Sequence, residues 1–371
     1  MEQTSWYQIN DLSQLDTPAL VIYPDRVRQN IALLTSSIDD VNRLRPHVKT
    51  HKSREATQLM LEAGIRKFKC ATIAEAEMLA QCEVPDVLLA YQPNGVKMHR
   101  LLALMQAYLK TQFSCLVDNI DTGNELSNQA VAAGLVVPVY VDLNVGMNRT
   151  GILPDENVLT LYAELAKLEG VRPVGLHAYD GHLRQPDLAV RTEQCDTAFL
   201  PVKQLSNNLV ASGFEKPVMV VGGSPTFPIH ARRSEVECSP GTFVYWDRTY
   251  RDMLPEQPFQ PAALVVARVI SLPGPTKICL DLGHKSVAAE CELNQRVTFL
   301  NAPDLQAVGQ SEEHLVMEVG EGHSYHIGDI LYGLPNHICP TCALYERGFT
   351  IENGTVTGDW RTVSRDRILT Y

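Results

Sequence analysis

Residues 45 to 52 read Arg45-Pro46-His47-Val48-Lys49-Thr50-His51-Lys52, with basic side chains at alternate positions. In an extended strand, residues two apart share a face, so Arg45, His47, Lys49 and His51 are predicted to point one way. Four such groups are costly in a packed core unless an anionic ligand or cofactor sits among them. A lysine held among other cations is inclined toward the neutral amine, and a neutral amine condenses with a carbonyl to form a Schiff base. An exposed basic strand is the plainer reading of the same pattern, and the rest of the chain decides between the two.

A second constellation lies near the C-terminus at Pro335-Asn336-His337-Ile338-Cys339-Pro340-Thr341-Cys342. Cys339 precedes a proline, which favours extended backbone, so His337 and Cys339 are predicted to face one ligand together. Imidazole plus thiolate is a zinc-type pair, with water and substrate completing the shell. A redox Cys339-x-x-Cys342 pair, half of a structural zinc site and a plain turn are the competing readings. The chain offers no second Cys pair at the spacing a structural site needs.

These groups need elements to hold them. Short apolar runs alternate with helix-like stretches up to about residue 223, which predicts repeated βα units. Strands are expected near Ala19 to Tyr23, Leu44 to Thr50, Lys67 to Thr72, Asp86 to Tyr91, Gln112 to Asp118, Val137 to Asn144, Pro173 to Tyr179 and Val218 to Gly222. Helices are expected at Ile73 to Cys82 and Val158 to Leu168. Eight parallel strands predict an α/β fold, a closed (β/α)8 TIM barrel over residues 1–250. Beyond the Pro-rich stretch at 252–258, short β-branched runs at Ala263 to Ile270, Lys277 to Leu282, Val297 to Leu300, Leu315 to Val319 and Ile327 to Tyr332 predict a second, smaller all-β domain over 251–371 that carries the metal motif.

In such a barrel, chemistry collects at the C-terminal strand ends. The strand taken as the eighth, Val218 to Val221, runs into Gly222-Gly223-Ser224, and Pro240-Gly241-Thr242 follows. Glycines let backbone N–H groups approach an anion, and loops after the last strands of a barrel are a frequent phosphate site. Asp142 to Gly151, with Arg149, and His177 to His182, with Tyr179, are polar clusters at other strand ends and line the expected site mouth.

Composition narrows the class. The chain has 371 residues, 45% hydrophobic and 20% charged, enough to bury a large core, and a formal net charge of -11. With 43 acidic against 32 basic residues, a nucleic-acid partner is not expected. The start has no basic-then-apolar leader, and no apolar run approaches the length of a membrane span. Nine scattered cysteines suit reduced thiols better than a disulfide framework, so a cytoplasmic location is expected.

The basic row, Asp16-Thr17-Pro18, Gly222-Gly223-Ser224, Pro240-Gly241-Thr242, Asp281 to Lys285, Ser311 to His314 and Pro335 to Thr341 occur together and in that order. This combination resembles the D-threonine aldolase and D-serine dehydratase family, related to alanine racemases among pyridoxal-phosphate enzymes of the barrel-plus-β-domain type (fold type III). The resemblance spans essentially the whole chain. It implies that Lys49 is the Schiff-base lysine of pyridoxal 5'-phosphate, and that the backbones of Gly222, Gly223, Ser224, Gly241 and Thr242 hold the phosphate. It further implies that His337 and Cys339 bind a divalent metal and that the protein is a homodimer. His47 joins the cofactor contacts from the basic row, and Tyr179 and Arg149 are candidates for cofactor O3' or the substrate carboxylate.

Family aldolases tend to carry His-x-Asp, suited to manganese or magnesium, whereas dehydratases are similar to this chain in having His-x-Cys, suited to zinc. The expected activity is therefore a D-serine/D-threonine dehydratase-like β-elimination from a D-β-hydroxy amino acid to keto acid and ammonia. Lys49 would remove the Cα proton while the metal helps the hydroxyl leave. The alternative is retro-aldol cleavage to glycine and an aldehyde, with His51 as the base on the β-hydroxyl. An amino-acid racemase fits less well, because a metal pair has no role in it.

Overall fold

The computed structural model describes residues 5–13 and 15–371. Contacts divide the chain into two compact units, each built from separated stretches. One comprises Met1–Ile31, Thr50–Ala56 and Thr242–Arg365, the other Ala32–Lys49, Thr57–Gly241 and Asp366–Tyr371.

The first strand, β1 (Ala19–Ile22), was expected to open the barrel. It lies instead in the sheet of the first unit, antiparallel to β9 (Ala263–Gly274) and parallel to β15 (Arg347–Glu352). A fully buried Ala-Leu-Val-Ile run fits either sheet, so its sequence does not choose between them.

The second unit holds a curled parallel sheet ordered β2 to β8: Lys67–Cys70, Asp86–Leu89, Gln112–Val117, Val137–Leu143, Val171–Ala178, Val218–Val221 and Val236–Cys238. Helices intervene as the periodicity predicts, at Ile73–Gln81 and Asn157–Leu165 among others. Thr72 caps the first of these by accepting from Glu75 N, while Glu75 accepts from Ala71 N, one residue before the cap, at 2.6 Å. Val218–Val221 is thus the seventh strand of this sheet. The eighth, β8, went unread because a three-residue strand centred on Glu237 has no apolar run to announce it.

The two edges of this sheet are joined by residues 44–48. Arg45 N donates to Cys238 O and His47 N to Pro240 O, both at 2.9 Å, while on the other side Val48 N donates to Lys69 O at 3.0 Å and Lys69 N to Pro46 O at 2.9 Å. Leu44 pairs in parallel with Cys238 and His47 with Lys69. The segment is too irregular to count as a strand, yet its two rows of hydrogen bonds complete the ring of eight.

Parity then fixes which side chains point inward. Leu88, Leu116, Tyr140 and Val220 pack together as one buried cluster, and ladder partners share their face. The inward rows therefore include Arg45, His47 and Lys49; Lys67 and Lys69; Asp86; Asp142; His177 and Tyr179; and Glu237 and Ser239. At the N-terminal level Arg45, 1% exposed, forks onto Asp86 at 2.6 and 3.0 Å and reaches Glu237 at 2.7 Å, and Lys67 also pairs with Glu237. Arg45 is therefore satisfied within the protein. Only the upper members of the basic row remain for a ligand.

In the first unit, a second sheet runs β12-β13-β10-β9-β1-β15-β16, with β14 pairing β9 and β11. Its members besides those above are β10 (Lys277–Leu280), β11 (Val297–Phe299), β12 (Gln306–Gln310), β13 (Leu315–Glu318), β14 (Ile330–Pro335) and β16 (Thr355–Arg361). The runs expected at 263, 277, 297 and 315 form strands, the one expected at Ile327 begins at Ile330, and β12, β15 and β16 were not foreseen. One face buries Val265, Val269, Ile278, Leu280 and Met317, the other Val21, Leu264, Val266 and Leu334. Among the described residues no helix is long and apolar enough to cross a membrane.

Replacing Arg45 with leucine leaves Glu237 and Asp86 without their shared counter-charge inside the ring. We expect Arg45→Leu to lower unfolding free energy by about 3–5 kcal/mol, read as a lower urea midpoint with an unchanged slope. An unchanged midpoint would show that the charged layer does not hold the ring together.

Candidate active site

Lys49 stands in the turn that ends the closing segment, at the C-terminal side of the ring, partly buried, with its backbone N–H donating to His47 Nδ1 at 3.2 Å. Its Nζ lies 5.7 Å from the centre of the Tyr179 ring. Lys69 Nζ lies 5.7 Å and the Arg149 guanidinium 5.1 Å from the same ring. The structure thus brings Lys49, Arg149 and Tyr179 together as the sequence reading expected, and it adds Lys69. Lys69 is 2% exposed, and its Nζ is 3.5 Å from His177 Nε2, whose Nδ1 is 2.7 Å from Asp142 Oδ1. Burial, and then the Lys49 charge, push the Lys69 ammonium down to about 7. Burial also keeps His177 toward the neutral ring, with its Nδ1–H held by Asp142.

The glycine loop follows β7. Gly222 has φ +73°, and a Cβ there would lie 2.7 Å from the His230 ring, so neither the backbone nor the space admits a side chain. A Cβ on Gly223 would meet the Tyr179 ring at 3.0 Å. Ser224 Oγ accepts from Gly241 N at 3.2 Å, tying the two glycine motifs together. Ser239 Oγ, on an inward position at the end of β8, is buried without a hydrogen-bond partner. Bare glycine backbone, an unsatisfied hydroxyl and three cations around one aromatic ring suit a phosphorylated aromatic carbonyl compound, so these residues fit pyridoxal phosphate.

Beneath Gly222, Asp180, Cys195 and His230 bring their ligand atoms within 4.8 Å of one another, the one such trio among the described residues. They satisfy each other: His230 Nε2 to Asp180 is 2.9 Å, Cys195 Sγ to His230 is 3.3 Å, and Thr226 Oγ1 donates to Asp180 at 2.7 Å. Burial pushes the Cys195 thiol up to about 12, and Arg233 sits against both His230 Nδ1 and Cys195 Sγ. A protonated thiol and a neighbouring guanidinium oppose a metal ion. The trio serves as a hydrogen-bonded floor under the loop.

In the first unit, His337 caps a short helix, Ile338–Leu344, so Cys339 lies in its first turn and not in an extended stretch. A proline is tolerated in that turn, which is why Pro340 does not prevent it. The two side chains still converge, since the Cys339 sulfur accepts a hydrogen bond from the imidazole and favours its charged form against the effect of burial. Glu290 Oε1 lies 2.5 Å from His337 Nδ1, leaving Nε2 for a ligand. A carboxylate behind a histidine is the usual support of a metal-binding imidazole. Thr50 Oγ1 is 3.2 Å and Thr242 Oγ1 3.9 Å from Cys339 Sγ. This nitrogen and sulfur donor set fits a zinc-like ion. Cys342 is buried, and all nine cysteines are free.

His51 does not continue the basic strand. Residues 48–51 form a turn, and the ring is buried in the first unit, its Nδ1 accepting from Ser53 N at 3.1 Å. Burial drives it down to about 3, which makes it a weak proton acceptor. Lys69 and Glu290 were missed by the sequence reading. The alternation of Lys67 and Lys69 in a strand beside the basic row was the available signal for the first, and nothing in spacing pointed to the second.

Residues 22–249 match the alanine racemase N-terminal domain, and residues 262–351 match a putative serine dehydratase domain. A D-threonine aldolase of Arthrobacter sp is 29% identical over 363 residues, covering 95% of this chain and 94% of that protein. A D-threo-3-hydroxyaspartate dehydratase of Delftia sp. (strain HT23) is 27% identical over 369 residues, covering 90% and 93%. The crystal structure of D-threonine aldolase from Filomicrobium marinum shares the fold with a TM-score of 0.86 at 26% identity, covering 95% of this chain and 96% of that one. A first domain match longer than half the chain, on a ring that presents a lysine beside a glycine cradle, makes this protein a member of the alanine racemase N-terminal domain family, with a serine dehydratase-type second domain.

Proposed function

We propose that the protein is a pyridoxal-phosphate- and metal-dependent lyase of D-β-hydroxy amino acids, with β-elimination to keto acid and ammonia as its reaction. The observation that carries this is the set of Lys49, Lys69 and Arg149 around Tyr179, beside the Gly222 loop. Bound there, pyridoxal phosphate supplies an electron sink for charge developing at the substrate Cα. The Gly222–Ser224 loop and the neighbouring Gly241 would give its phosphate room, with the Ser239 hydroxyl as a donor. Tyr179 would flank the cofactor, Arg149 would take a carboxylate, and Lys49 would hold the cofactor and accept the Cα proton. His337 and Cys339 would hold a divalent cation, zinc by its donor set, which would supply Lewis-acid chemistry toward an oxygen ligand.

The second reading, retro-aldol cleavage to glycine and an aldehyde, uses the same groups and is supported by the aldolase names among the relatives. The cysteine at 339 favours elimination in our reading, because a thiolate selects the softer ion. A homodimer in the cytoplasm belongs to the same proposal.

Incubation with D-serine and D-threonine should release pyruvate and 2-oxobutyrate. The L-isomers should react at least about a hundredfold more slowly, a difference of about 2.7 kcal/mol in transition-state binding. Glycine and aldehyde as the sole products would select the second reading, and equal rates on both enantiomers would defeat both.

The metal assignment is checked separately. Glu290→Gln should weaken metal binding about 10- to 100-fold in a chelator competition while leaving the absorbance of the bound cofactor in place. A chain that holds no metal by elemental analysis, yet turns over fully, would remove His337 and Cys339 from the chemistry.

A further inference from the structure

Lys69 counts among the cations of the chamber, yet no step of the chemistry above uses its proton. Lys69 is inward on β2, paired in register with His47 and one residue level below Lys49. Its amine is enclosed, and His177 Nε2 lies 3.5 Å from it. Behind His177 stands Asp142, fixed in turn by Gln92 Nε2 at 2.8 Å. A neutral His177 with its Nδ1–H on Asp142 offers Nε2 as an acceptor, so the file has one polarity: carboxylate, imidazole, amine. Lys69 has one N–H for that file, and both it and Lys49 bring their Nζ atoms to 5.7 Å from the centre of the Tyr179 ring.

We propose that Lys69, oriented by His177 and Asp142, is a second proton-transfer group of this chamber, alongside Lys49. The proposal rests on the cofactor reading given above. In the elimination, Lys49 gains an N–H as the Cα–H bond breaks. Lys69 loses an N–H as the departing hydroxyl gains an O–H, the C–O electron pair goes to oxygen, and water leaves. Proton exchange between the two amines and solvent restores both, so neither is consumed. For a retro-aldol reaction the same amine would accept the β-hydroxyl proton and return it to the glycine Cα.

The surroundings suit a group that both gives and takes. Arg45 and Lys49 face it from the closing segment and disfavour its charge, as burial does most strongly, while Asp142 from β5 and Asp180 from the loop after β6 favour it. The His177 and Tyr179 rings stand beside it, and the Arg149 guanidinium lies over the same Tyr179 ring. The balance at about 7 is where an acid–base group works best near neutral pH.

The test has one arm without cofactor and one with it. In the cofactor-free protein with lysines labelled at 13Cε, one resonance should titrate near pH 7 and vanish in Lys69→Met. If every lysine titrates near the ordinary value of about 10.4, the proposal is overturned. In the cofactor-loaded enzyme, Lys69→Met should lower kcat at least about a hundredfold with cofactor absorbance and KM little changed. Lys69→Arg should fail to restore it, because a guanidinium keeps the charge but does not release the proton. A loaded Lys69→Met enzyme turning over at the wild-type rate, or full rescue by arginine, defeats the proposal alone. Wild-type protein that takes up no pyridoxal phosphate defeats the reading of the chamber and this proposal with it.

Discussion

The backbone pairing of residues 44–48 is the constraint on which the rest of the barrel unit depends. A curled seven-stranded sheet leaves two edges, and this short, proline-containing segment closes them by hydrogen-bonding to β8 on one side and β2 on the other. Pro46 has no N–H to give, yet its carbonyl serves Lys69, so the segment loses nothing it needs there. The same pairing sets parity. It sends Arg45 to the charged layer with Asp86 and Glu237 and leaves Lys49 at the opposite end, where the strand geometry stops and the chain turns.

That arrangement separates the structural charges from the chemical ones along a single run of sequence. Arg45 is bound by two carboxylates, and removing either would leave a buried ion unmatched. Lys49, Lys69 and Arg149 instead gather around Tyr179 with no carboxylate among their ring contacts. The nearest acids are occupied: Asp142 by His177 and Gln92, Asp180 by His230 and Thr226. An anionic aromatic cofactor, as proposed, would supply the missing partner, and the glycine loop would supply the room for its phosphate.

Much of this was legible in the residue order, for identifiable reasons. Lys49 stood out because alternation in a strand is a strong positional statement, and the glycine loop because it falls at a late strand end and a second Gly-Thr follows, although paired glycines alone mark a simple turn more often than an anion site. His337 and Cys339 stood out by residue type as a proposed metal pair, although their placement comes from the first turn of a helix and not from an extended strand. What failed was local inference carried past a boundary. Placing His51 on the face of Lys49 carries strand alternation into residues 48–51, which form a turn, and placing β1 in the barrel fails because buried parallel and buried antiparallel runs look alike. Glu290 lies 47 residues from His337 and is joined to it only by folding, so no spacing rule reveals it.

The claim at the centre of this account is that one particular amine carries the cofactor. Reduction of the pyridoxal-phosphate-loaded protein with labelled borohydride, followed by peptide mapping, tests it with the fewest assumptions. The account predicts a single reduced adduct on Lys49 and none on Lys52 or Lys69. An adduct on either of those residues, or no adduct at all on protein shown to be folded, would contradict it.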